Sequence, residues 1–275
     1  MFQNVLTTSP WPSAPKAYFC FDAEGTLWDS GQPAFGAREF LDLVRKRGWP
    51  FVVLTNTVSR TPNQISRQWA KFGLGVTPGQ LITPFDSLNH FLKQEYPQSQ
   101  VGQFRWVGSA QQARRLSRQA TKKSPEWVIL GDLESFSWNL NFLNSVVNDL
   151  RNGAKLAALS PSLFYRMGAK VKLDTGSFVR LLKPFLHEPV LILGKPNPLM
   201  LDPARERCGG AQAKCLVMGD DASTDVQMAR SAGALSLLLR QGKYLPGDED
   251  KVNPNWCAGS LAEAAQLLEQ WWDSP

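Results

Sequence analysis

Two carboxyl residues come directly after an apolar run near the start of the chain. In FCFDAEGTLWDSG the apolar residues end at Phe21, and Asp22 and Glu24 follow. A carboxylate at the end of a buried strand can act as a nucleophile, as a general acid or base, or as a metal ligand. Which of these it does depends on the polar groups that reach the same place.

Three later apolar runs end in polar residues in the same way. Thr55 and Asn56 follow FVVL, Lys195 follows LILG, and Asp220 and Asp221 follow LVMG. Ligands of open parallel sheets bind outside the carboxyl ends of the strands, so we expect these side chains to converge on one site. Taken singly, each has an ordinary structural role, such as capping a helix or lying exposed before a proline. The prediction therefore depends on the whole set.

The set is strongly acidic, which predicts a bound cation. A cleft that collects this many carboxylates is costly unless a cation neutralises them. Hard oxygen donors favour Mg²⁺, and both histidines of the chain lie outside these runs, which argues against zinc. The acidic residues of the set are Asp22, Glu24, Asp220, Asp221 and Asp225.

This combination of groups suits phosphoryl transfer. A carboxylate beside a metal ion can attack phosphorus and form an aspartyl-phosphate, which divides a hard hydrolysis into two easier displacements. The ammonium of Lys195 and the hydroxyl of Thr55 suit the phosphoryl oxygens, the first as a point charge and the second as a donor.

The elements that must position these residues alternate along the chain. Strand-like apolar runs are followed by segments of helical period, which predicts a parallel α/β sheet covered by helices. Thr61 with Pro62 predicts one helix start, and Ser260 with Glu263 predicts a capping box at the last helix. From about residue 109 to 187 the alternation continues, with an irregular stretch through KVKLDTG, and this part could be a second compact unit.

Length and composition limit the class of protein. The 275 residues, 43% of them hydrophobic, can bury a sizeable core as one large domain or as two smaller ones. The apolar runs are too short to cross a bilayer, and the N-terminus lacks the pattern of a signal peptide, so we expect a cytoplasmic protein without a membrane partner. Four cysteines without CxxC pairing favour reduced structural thiols over a disulfide or a zinc site.

A basic stretch raises one alternative. The net charge is +6, and residues 105–123 are rich in Arg and Lys, as in a nucleic-acid interface. A charge run on a helix is more commonly a solvated face, and neither a recognition motif nor an aromatic stacking platform accompanies it. We therefore expect no nucleic-acid partner.

Four segments together carry a family resemblance. FDAEGTLW, LTNT, GKPNP and MGDDASTDV, in this order and each after a strand, resemble the four motifs of the haloacid dehalogenase-like (HAD) superfamily. The last three are similar to the branch of p-nitrophenyl phosphate, phosphoglycolate and pyridoxal phosphate phosphatases. The resemblance covers nearly the whole chain. It implies a Rossmann-like parallel-sheet core of residues 1–108 and 188–275, an inserted smaller α/β cap domain of residues 109–187, and possible homodimers.

The resemblance also implies a role for each motif residue. Asp22 corresponds to the nucleophile and Glu24 to the general acid and base. Thr55 and Asn56 would hold the phosphoryl group, and Lys195 would be the stabilising cation.

Magnesium is the cofactor that the resemblance implies. Asp220 would bind Mg²⁺ together with Asp22 and the backbone carbonyl of Glu24. Asp225 would hold the metal directly or through water. A dehalogenase needs no such cluster, so the full GDDASTD motif counts against that activity.

Glu24 departs from the family pattern, which has Asp at this position. The extra methylene moves the carboxylate by more than about 1 Å, enough to cost on the order of 10² in rate if nothing compensates. A shifted loop would leave a working phosphatase; slower acid and base steps would lengthen the life of the phospho-enzyme; or the protein would bind phosphorylated ligands without turnover. Thr57 and Asp221 are smaller departures, which bear on the substrate end of the site.

Substrate choice is expected to lie in the cap, since the four motifs handle only the phosphoryl group. The segment YRMGAKVKLDTGSF resembles the cap loop that lies over the active site in this branch. Lys172, Asp174 and Thr175 are the candidates for substrate contact, although Lys172 could be merely exposed and Asp174 could simply begin a turn. Asp132, after WVILG, is a weaker candidate.

The sequence thus predicts a Mg²⁺-dependent phosphatase. Because a closed cap excludes polymers, we expect its substrate to be a small phosphorylated metabolite. The alternative is a catalytically impaired HAD-like protein that binds phosphorylated ligands, because Glu24 replaces the usual acid.

Overall fold

The computed structural model describes residues 16–273 apart from 122–123, 135, 137–138, 168–169 and 211. Lys122 and Lys123 of the basic stretch, and Gly168 and Ala169 of the predicted cap loop, therefore lie outside the described residues. So do residues 1–15 and 274–275 of the predicted core.

Strands and helices alternate along the chain, as the apolar pattern predicts. In chain order they are β1 (Ala17–Asp22), β2 (Trp28–Asp29), β3 (Gln32–Pro33), α1 (Ala37–Lys46), β4 (Phe51–Leu54), α2 (Pro62–Ala70), β5 (Leu81–Ile82), α3 (Pro84–Glu95), β6 (Val101–Gly102), β7 (Phe104–Val107), α4 (Ala110–Ala113), β8 (Gln119–Ala120), β9 (Trp127–Leu130), α5 (Leu140–Arg151), β10 (Lys155–Ala158), β11 (Phe164–Met167), β12 (Lys170–Leu173), α6 (Thr175–Leu182), β13 (Leu191–Ile192), α7 (Leu201–Cys208), β14 (Lys214–Gly219), α8 (Gln227–Ser231), β15 (Leu235–Leu239), α9 (Asp248–Val252), β16 (Trp256–Ala258) and α10 (Leu261–Asp273).

The main sheet has six strands in the order β16-β15-β14-β1-β4-β5. β1 pairs in parallel with both β4 and β14, and β14 pairs in parallel with β15. Every residue of β1 is buried, as expected for a central strand with both faces covered. Phe19 and Phe21 belong to the largest core cluster, in which Phe19 packs against Trp49 at 5.1 Å between ring centroids. The predicted α/β class with a parallel sheet is confirmed.

A second parallel sheet has four strands in the order β13-β10-β9-β7. Its hydrophobic side chains form two further clusters, one with α5 and α6 and one with α3. A separate antiparallel hairpin joins β11 to β12, with Phe164 opposite Leu173. The sequence predicts an irregular stretch here, because Val171 and Leu173 are exposed and so give no signal of a buried strand.

The chain divides into two compact units. The first comprises residues 1–54, 65–81 and 201–275, and the second comprises residues 55–64 and 82–200. The boundaries of the core (1–108 and 188–275) and of the cap (109–187) stay a prediction.

Local hydrogen bonds explain several helix starts. The Thr61 hydroxyl accepts from the Gln64 N–H at 3.2 Å, while the Gln64 side chain accepts from the Thr61 N–H at 2.8 Å. At the start of α10 the Ser260 hydroxyl accepts from the Glu263 N–H at 3.2 Å, but the Glu263 carboxylate accepts from Gly259 rather than from Ser260. These contacts satisfy N–H groups that a helix leaves unpaired at its first turn.

Two further predictions concern cysteines and membranes. All four cysteines carry free thiols. Within the part of the chain that the structure describes, no helix combines the length and the apolar character that crossing a bilayer requires.

Candidate active site

Three buried carboxylates of the first unit lie side by side. Asp22 is the last residue of β1, Asp220 directly follows β14, and Asp225 lies in the single turn of π-helix (Ala222–Val226) that comes next. These side chains are at most 3% exposed, and one carboxylate oxygen of each lies within 4.8 Å of those of the other two. The parallel pairing of β1 with β14 therefore brings together residues that are far apart in sequence.

Both carboxylate oxygens of Asp220 accept hydrogen bonds. Its Oδ2 accepts from the backbone N–H of Lys243 at 2.7 Å, and its Oδ1 accepts from the Thr26 hydroxyl at 3.3 Å. Burial raises the pKa of Asp220, and the charge of Asp225 adds to the rise, whereas the hydrogen bond from the Lys243 N–H and one shared with Asp22 oppose it. Burial thus disfavours the ionised form of Asp220, which additional positive charge would stabilise.

Asp221 and Lys243 form a charged rim beside these carboxylates. The Lys243 Nζ lies 3.3 Å from the Asp221 Oδ2, and its side chain is 66% exposed. Burial opposes the ionisation of Asp221, but hydrogen bonds from Ser223 and the charge of Lys243 outweigh it and lower the pKa. Burial likewise opposes the charge of Lys243, while Asp221 above all, and then Asp22 and Asp220, raise its pKa.

Glycine backbones line the carboxylates on several sides. Gly25 and Gly242 have φ of +89° and +58°, and a Cβ at either position would overlap the carboxylate of Asp220. A Cβ at Gly219 would overlap the carboxylate of Asp225 in the same way. Each position needs glycine because the backbone approaches the acids so closely.

This donor set fits a magnesium ion. It contains only hard carboxylate oxygens, which Mg²⁺ prefers over nitrogen or sulfur. Burial and the charge of Asp225 raise the pKa of Asp220, and a divalent cation would favour its ionised form. Asp22, Asp220 and Asp225 are the residues that would hold it.

Glu24 lies in a tight turn that follows β1. It is partly buried and forms an isolated bridge with Trp28, and the Gly25 N–H donates to the Trp28 carbonyl at 2.8 Å. The Gln241 side chain donates to the carbonyls of Gly25 and Thr26, at 3.0 Å each. Hydrogen bonds from within the turn and from Gln241 therefore fix its backbone. The role of Glu24 as general acid and base stays a prediction.

In the second unit, Asn56 and Lys195 are joined by two hydrogen bonds. The Asn56 Nδ2 donates to the Lys195 carbonyl at 3.0 Å, and the Lys195 N–H donates to the Asn56 Oδ1 at 2.8 Å. The Asn56 side chain thus fixes the backbone of Lys195, whose own side chain is buried. Buried Thr55 accepts from the Thr57 N–H at 3.0 Å through its hydroxyl. The predicted roles of all three at a phosphoryl group stay predictions.

The three predicted substrate contacts have partners within the second unit. The Lys172 Nζ is hydrogen-bonded to the Glu134 carboxylate, which also accepts from the Tyr165 hydroxyl at 2.8 Å. Asp174 is the N-cap of α6, and its carboxylate accepts from the Thr175 N–H at 2.7 Å. The buried Thr175 hydroxyl donates to a backbone carbonyl at 3.1 Å. Their contact with a substrate stays a prediction.

Asp132 lies close to this group. Burial raises its pKa, and the charges of Glu134 and Asp174 add to the rise.

The described part of the basic stretch contacts the second unit itself. The Arg105 Nε lies 2.8 Å from the Asp149 carboxylate, and the Arg115 guanidinium lies 4.7 Å from the centroid of the Phe85 ring. Arg118 donates to the Tyr96 carbonyl at 2.8 Å. The absence of a nucleic-acid partner stays a prediction.

Residues 241–243 lie next to Asp220, but no motif in the sequence identifies them. Gln241, Gly242 and Lys243 come soon after the carboxyl end of β15, in the same relation to their strand as the predicted site residues have to theirs. The same rule about strand ends could have identified them. Two of their contacts with Asp220 come from the backbone, namely the N–H of Lys243 and the close approach of Gly242. A sequence pattern of side chains does not reveal such contacts.

Two family models match the chain. One, described as haloacid dehalogenase-like hydrolase, matches residues 19–123, and the other, described as HAD-hydrolase-like, matches residues 192–264. Together they cover more than half of the chain and contain all four motifs.

Named relatives span nearly the same length. The chain is 26% identical to the dihydroxyacetone phosphatase of Corynebacterium glutamicum, over 92% of this chain and 91% of the relative. It is 25% identical to the ribonucleotide monophosphatase NagD of Escherichia coli K12, over 88% of this chain and 95% of the relative.

Solved structures share the fold. The structure of NagD from E. coli K-12 matches with a TM-score of 0.76 and covers 91% of this chain and 98% of its own. A glycerol phosphate phosphatase from Mycobacterium tuberculosis, in complex with magnesium, matches with a TM-score of 0.77 and 23% identity, over 92% of this chain and 78% of its own. The family matches and the shared α/β fold confirm the predicted resemblance: the chain belongs to the haloacid dehalogenase-like hydrolases.

Proposed function

We propose that the protein is a Mg²⁺-dependent phosphatase that hydrolyses a small phosphorylated metabolite. The observation that carries this proposal is the group of buried carboxylates Asp22, Asp220 and Asp225 at the ends of adjacent parallel strands. Both named relatives are phosphatases of small phosphorylated compounds, which supports the same reaction here.

Asp22 is the proposed nucleophile. Its carboxylate forms a bond to phosphorus as the ester P–O bond breaks, and Glu24 gives a proton to the leaving oxygen. Glu24 then takes a proton from the water that attacks the aspartyl-phosphate, so that phosphate leaves and Asp22 is restored. We assign the binding of the phosphoryl oxygens to Thr55, Asn56 and Lys195.

The proposed metal ligands are Asp22, Asp220, Asp225 and the backbone carbonyl of Glu24. When bound, Mg²⁺ supplies positive charge to the carboxylates and to the phosphoryl oxygens. The backbone N–H of Lys243 and the hydroxyl of Thr26 orient Asp220 for this role.

Residues 109–187 are the proposed cap, with Lys172, Asp174 and Thr175 near the substrate. Of these, Lys172 is the best placed to change partners, since its ammonium pairs with a carboxylate that is 39% exposed. Thr175 is buried and Asp174 caps a helix, so both would act by positioning the start of α6.

A second function is favoured by one observation. Glu24 stands where the family has Asp, so the protein could bind phosphorylated ligands with little turnover. The turn that carries Glu24 is held by Gln241 and Trp28, which limits how far it can adjust to the longer side chain.

One experiment separates these functions. Phosphate release from p-nitrophenyl phosphate, dihydroxyacetone phosphate and nucleoside monophosphates is measured with Mg²⁺ and with EDTA. The wild type, Asp22→Asn and Glu24→Asp are compared, with Asp42→Asn on the exposed face of α1 as the matched control. We expect activity that EDTA abolishes, that Asp22→Asn lowers by at least about 10³-fold, and that Asp42→Asn leaves unchanged.

Glu24→Asp distinguishes an adapted enzyme from an impaired one. If the site is built for Glu, the shorter acid lowers kcat by about 10- to 100-fold. A gain of that size would favour the binding protein, and full activity in Asp22→Asn would remove the nucleophile assignment. Circular dichroism and melting curves check that each variant is folded.

A further inference from the structure

A groove of the second unit runs beside α6. Its volume is about 660 Å³, which lies within the roughly 300–1,000 Å³ of sites that bind small molecules. Gly176, Val179, Arg180 and Lys183 line one side of it. Their spacing of three and four residues places them on one face of α6 and its C-cap, so this wall is about 10 Å long.

The opposite wall consists of apolar side chains that are packed from behind. Leu186, Val190 and Ile192 line the groove, and like Val179 they pack against the hydrophobic cluster formed with α5 and α6. Ile192 lies in β13, an edge strand of the four-stranded sheet, which places the groove at the border of that sheet. Side chains packed on a core keep their positions, so the apolar wall is present before a ligand arrives.

One end of the groove is apolar and bounded by backbone. The Gly176 N–H donates to the Ser162 carbonyl at 2.9 Å, and a Cβ at Gly176 would overlap the carbonyl oxygen of Pro161. Pro161 and Leu163 line the groove here. The start of α6 is therefore packed directly on residues 161–162, and this end offers apolar surface to a ligand.

Positive charge is concentrated at the other end. The side chains of Arg180 and Lys183 are exposed there, about one turn of helix apart. Glu188 is the acidic residue of the described lining, and its Oε2 lies 3.5 Å from the Lys155 Nζ. Because Glu188 already pairs with another cation, an anion placed between Arg180 and Lys183 would relieve the repulsion of these two like charges.

We propose that this groove binds a medium-chain carboxylate, whose extended chain of about eight carbons matches the length of the α6 wall. The ligand's carboxylate accepts hydrogen bonds from the Arg180 guanidinium and the Lys183 ammonium, which are strong donors to such an anion. Its chain lies along Val179, Leu186 and Ile192 toward the apolar end. The site lies within the second unit and does not depend on the proposed phosphatase activity.

Calorimetric titration of the full chain with octanoate tests the proposal. Acetate and octan-1-ol are the matched probes, because the first lacks the chain and the second lacks the charge. We expect one octanoate per chain, and binding of either other probe that is weaker by about tenfold or more. Equal affinity for acetate or for octan-1-ol, or no heat of binding up to about 10 mM octanoate, would overturn the proposal.

Charge variants locate the site. Arg180→Gln and Lys183→Gln should each weaken octanoate binding by about five- to tenfold, whereas Glu188→Gln should tighten it by about two- to threefold. Lys93→Gln on α3 removes the same charge elsewhere in the second unit and should change nothing. All four side chains are exposed, so we expect each variant to fold.

Two results of these variants would count against the groove as the binding site. Unchanged affinity in both α6 variants, or an equal loss in Lys93→Gln, would place the anion elsewhere. Light scattering tests a second copy of the chain as the occupant. A wild-type dimer that Arg180→Gln dissociates would make the groove an interface between copies and would also overturn the proposal.

Discussion

Lys243 gives the acidic group a positive charge of its own. Its backbone N–H binds Asp220 and its ammonium binds Asp221, so one residue contacts two of the acids. The backbone contact survives any substitution except proline, whereas the charge does not. The two contributions can therefore be separated by mutation.

We predict that Lys243→Met tightens Mg²⁺ binding by about three- to tenfold, because a cation next to a cation site repels its ligand. Lys243→Arg keeps the charge and serves as the matched control. Isothermal titration with Mg²⁺ measures the affinity, and raising the salt concentration should shrink the difference. Weaker binding in Lys243→Met would mean that Lys243 organises the acids rather than neutralising them.

At the scale of single residues, the sequence identifies the acidic residues but not the residues that form hydrogen bonds around them. Asp22 and Asp220 are predictable because each directly follows an apolar run typical of a buried strand, and Asp225 is predictable because it belongs to the GDDASTD motif. The position of Gln241 and Lys243 soon after β15 follows the same rule, but their contacts are not predictable, since they depend on how the chain turns there. The direction of the Asn56 side chain, toward the Lys195 backbone, also depends on the tertiary fold.

Turns at the ends of β1 and β15 supply the space that the acids need. Gly25 and Gly242 both have positive φ, and both pack against Asp220. A side chain at either position would raise the free energy of the folded state for two separate reasons. It would strain the left-handed backbone, and it would overlap the Asp220 carboxylate. A comparison of two glycines separates these penalties.

Gly242→Ala is predicted to lose Mg²⁺ binding by at least about tenfold and to destabilise the fold by more than the roughly 1–2 kcal/mol of a left-handed alanine. Gly48→Ala is the matched control, because Gly48 has a φ of +64° with nothing within 4 Å of its Cβ position. Chemical unfolding with and without Mg²⁺ measures both effects. An equal loss of stability in Gly242→Ala and Gly48→Ala would show that the overlap with the Asp220 carboxylate costs no free energy of folding.

The hairpin β11–β12 is tied to the rest of the second unit through Glu134. Hydrogen bonds from Lys172 and then Tyr165 lower the pKa of Glu134 from its ordinary value of 4.5. Because the pKa of Glu134 is lower in the folded state, its ionised form stabilises the fold fully above its ordinary pKa of 4.5. This stabilisation is lost as the pH falls through the lowered pKa of the folded state.

Glu134→Gln is therefore predicted to lower the melting temperature at about pH 7, and this effect should shrink as the pH falls through the lowered pKa of folded Glu134. Glu39→Gln on the exposed face of α1 is the control and should show no such trend. Melting curves across this range measure the difference. A difference that stays constant with pH would exclude the ion pair as its cause.

The elements themselves are only partly predictable. The long apolar runs and helix starts such as Thr61 with Pro62 appear where the sequence places them. The β11–β12 hairpin does not, because Val171 and Leu173 point to solvent and its stability comes from tertiary contacts.

At the scale of the whole molecule, the alternation of strands and helices predicts the parallel sheet. The two compact units alternate along the chain, since residues 55–64 and 82–200 form the second unit and residues 65–81 return to the first. No local pattern marks the short polar segment 55–64 as part of the second unit, and the bounds of the core and the cap stay a prediction. The order of the strands in the sheet depends on packing between residues far apart in sequence, so a short stretch of sequence does not predict it.

The proposed metal site would also link Mg²⁺ binding to the stability of the fold. A ligand that binds only the folded state stabilises it by about 2.7 kcal/mol at a hundred times its dissociation constant. We predict that Mg²⁺ raises the melting temperature of the wild type and not of Asp220→Asn. An equal rise in both proteins would place the metal elsewhere.

The place of β1 between β4 and β14 has a consequence for biosynthesis. Thr26 and its partner Asp220 are 194 residues apart, so a ribosome releases β1 and β4 long before β14 exists. Until then the nascent β1 has one open edge, a feature that invites pairing with other chains and so calls for chaperone protection. At the proposed site, Mg²⁺ would find its three carboxylate ligands only once translation has passed Asp225, so it would stabilise the fold late rather than guide its first steps.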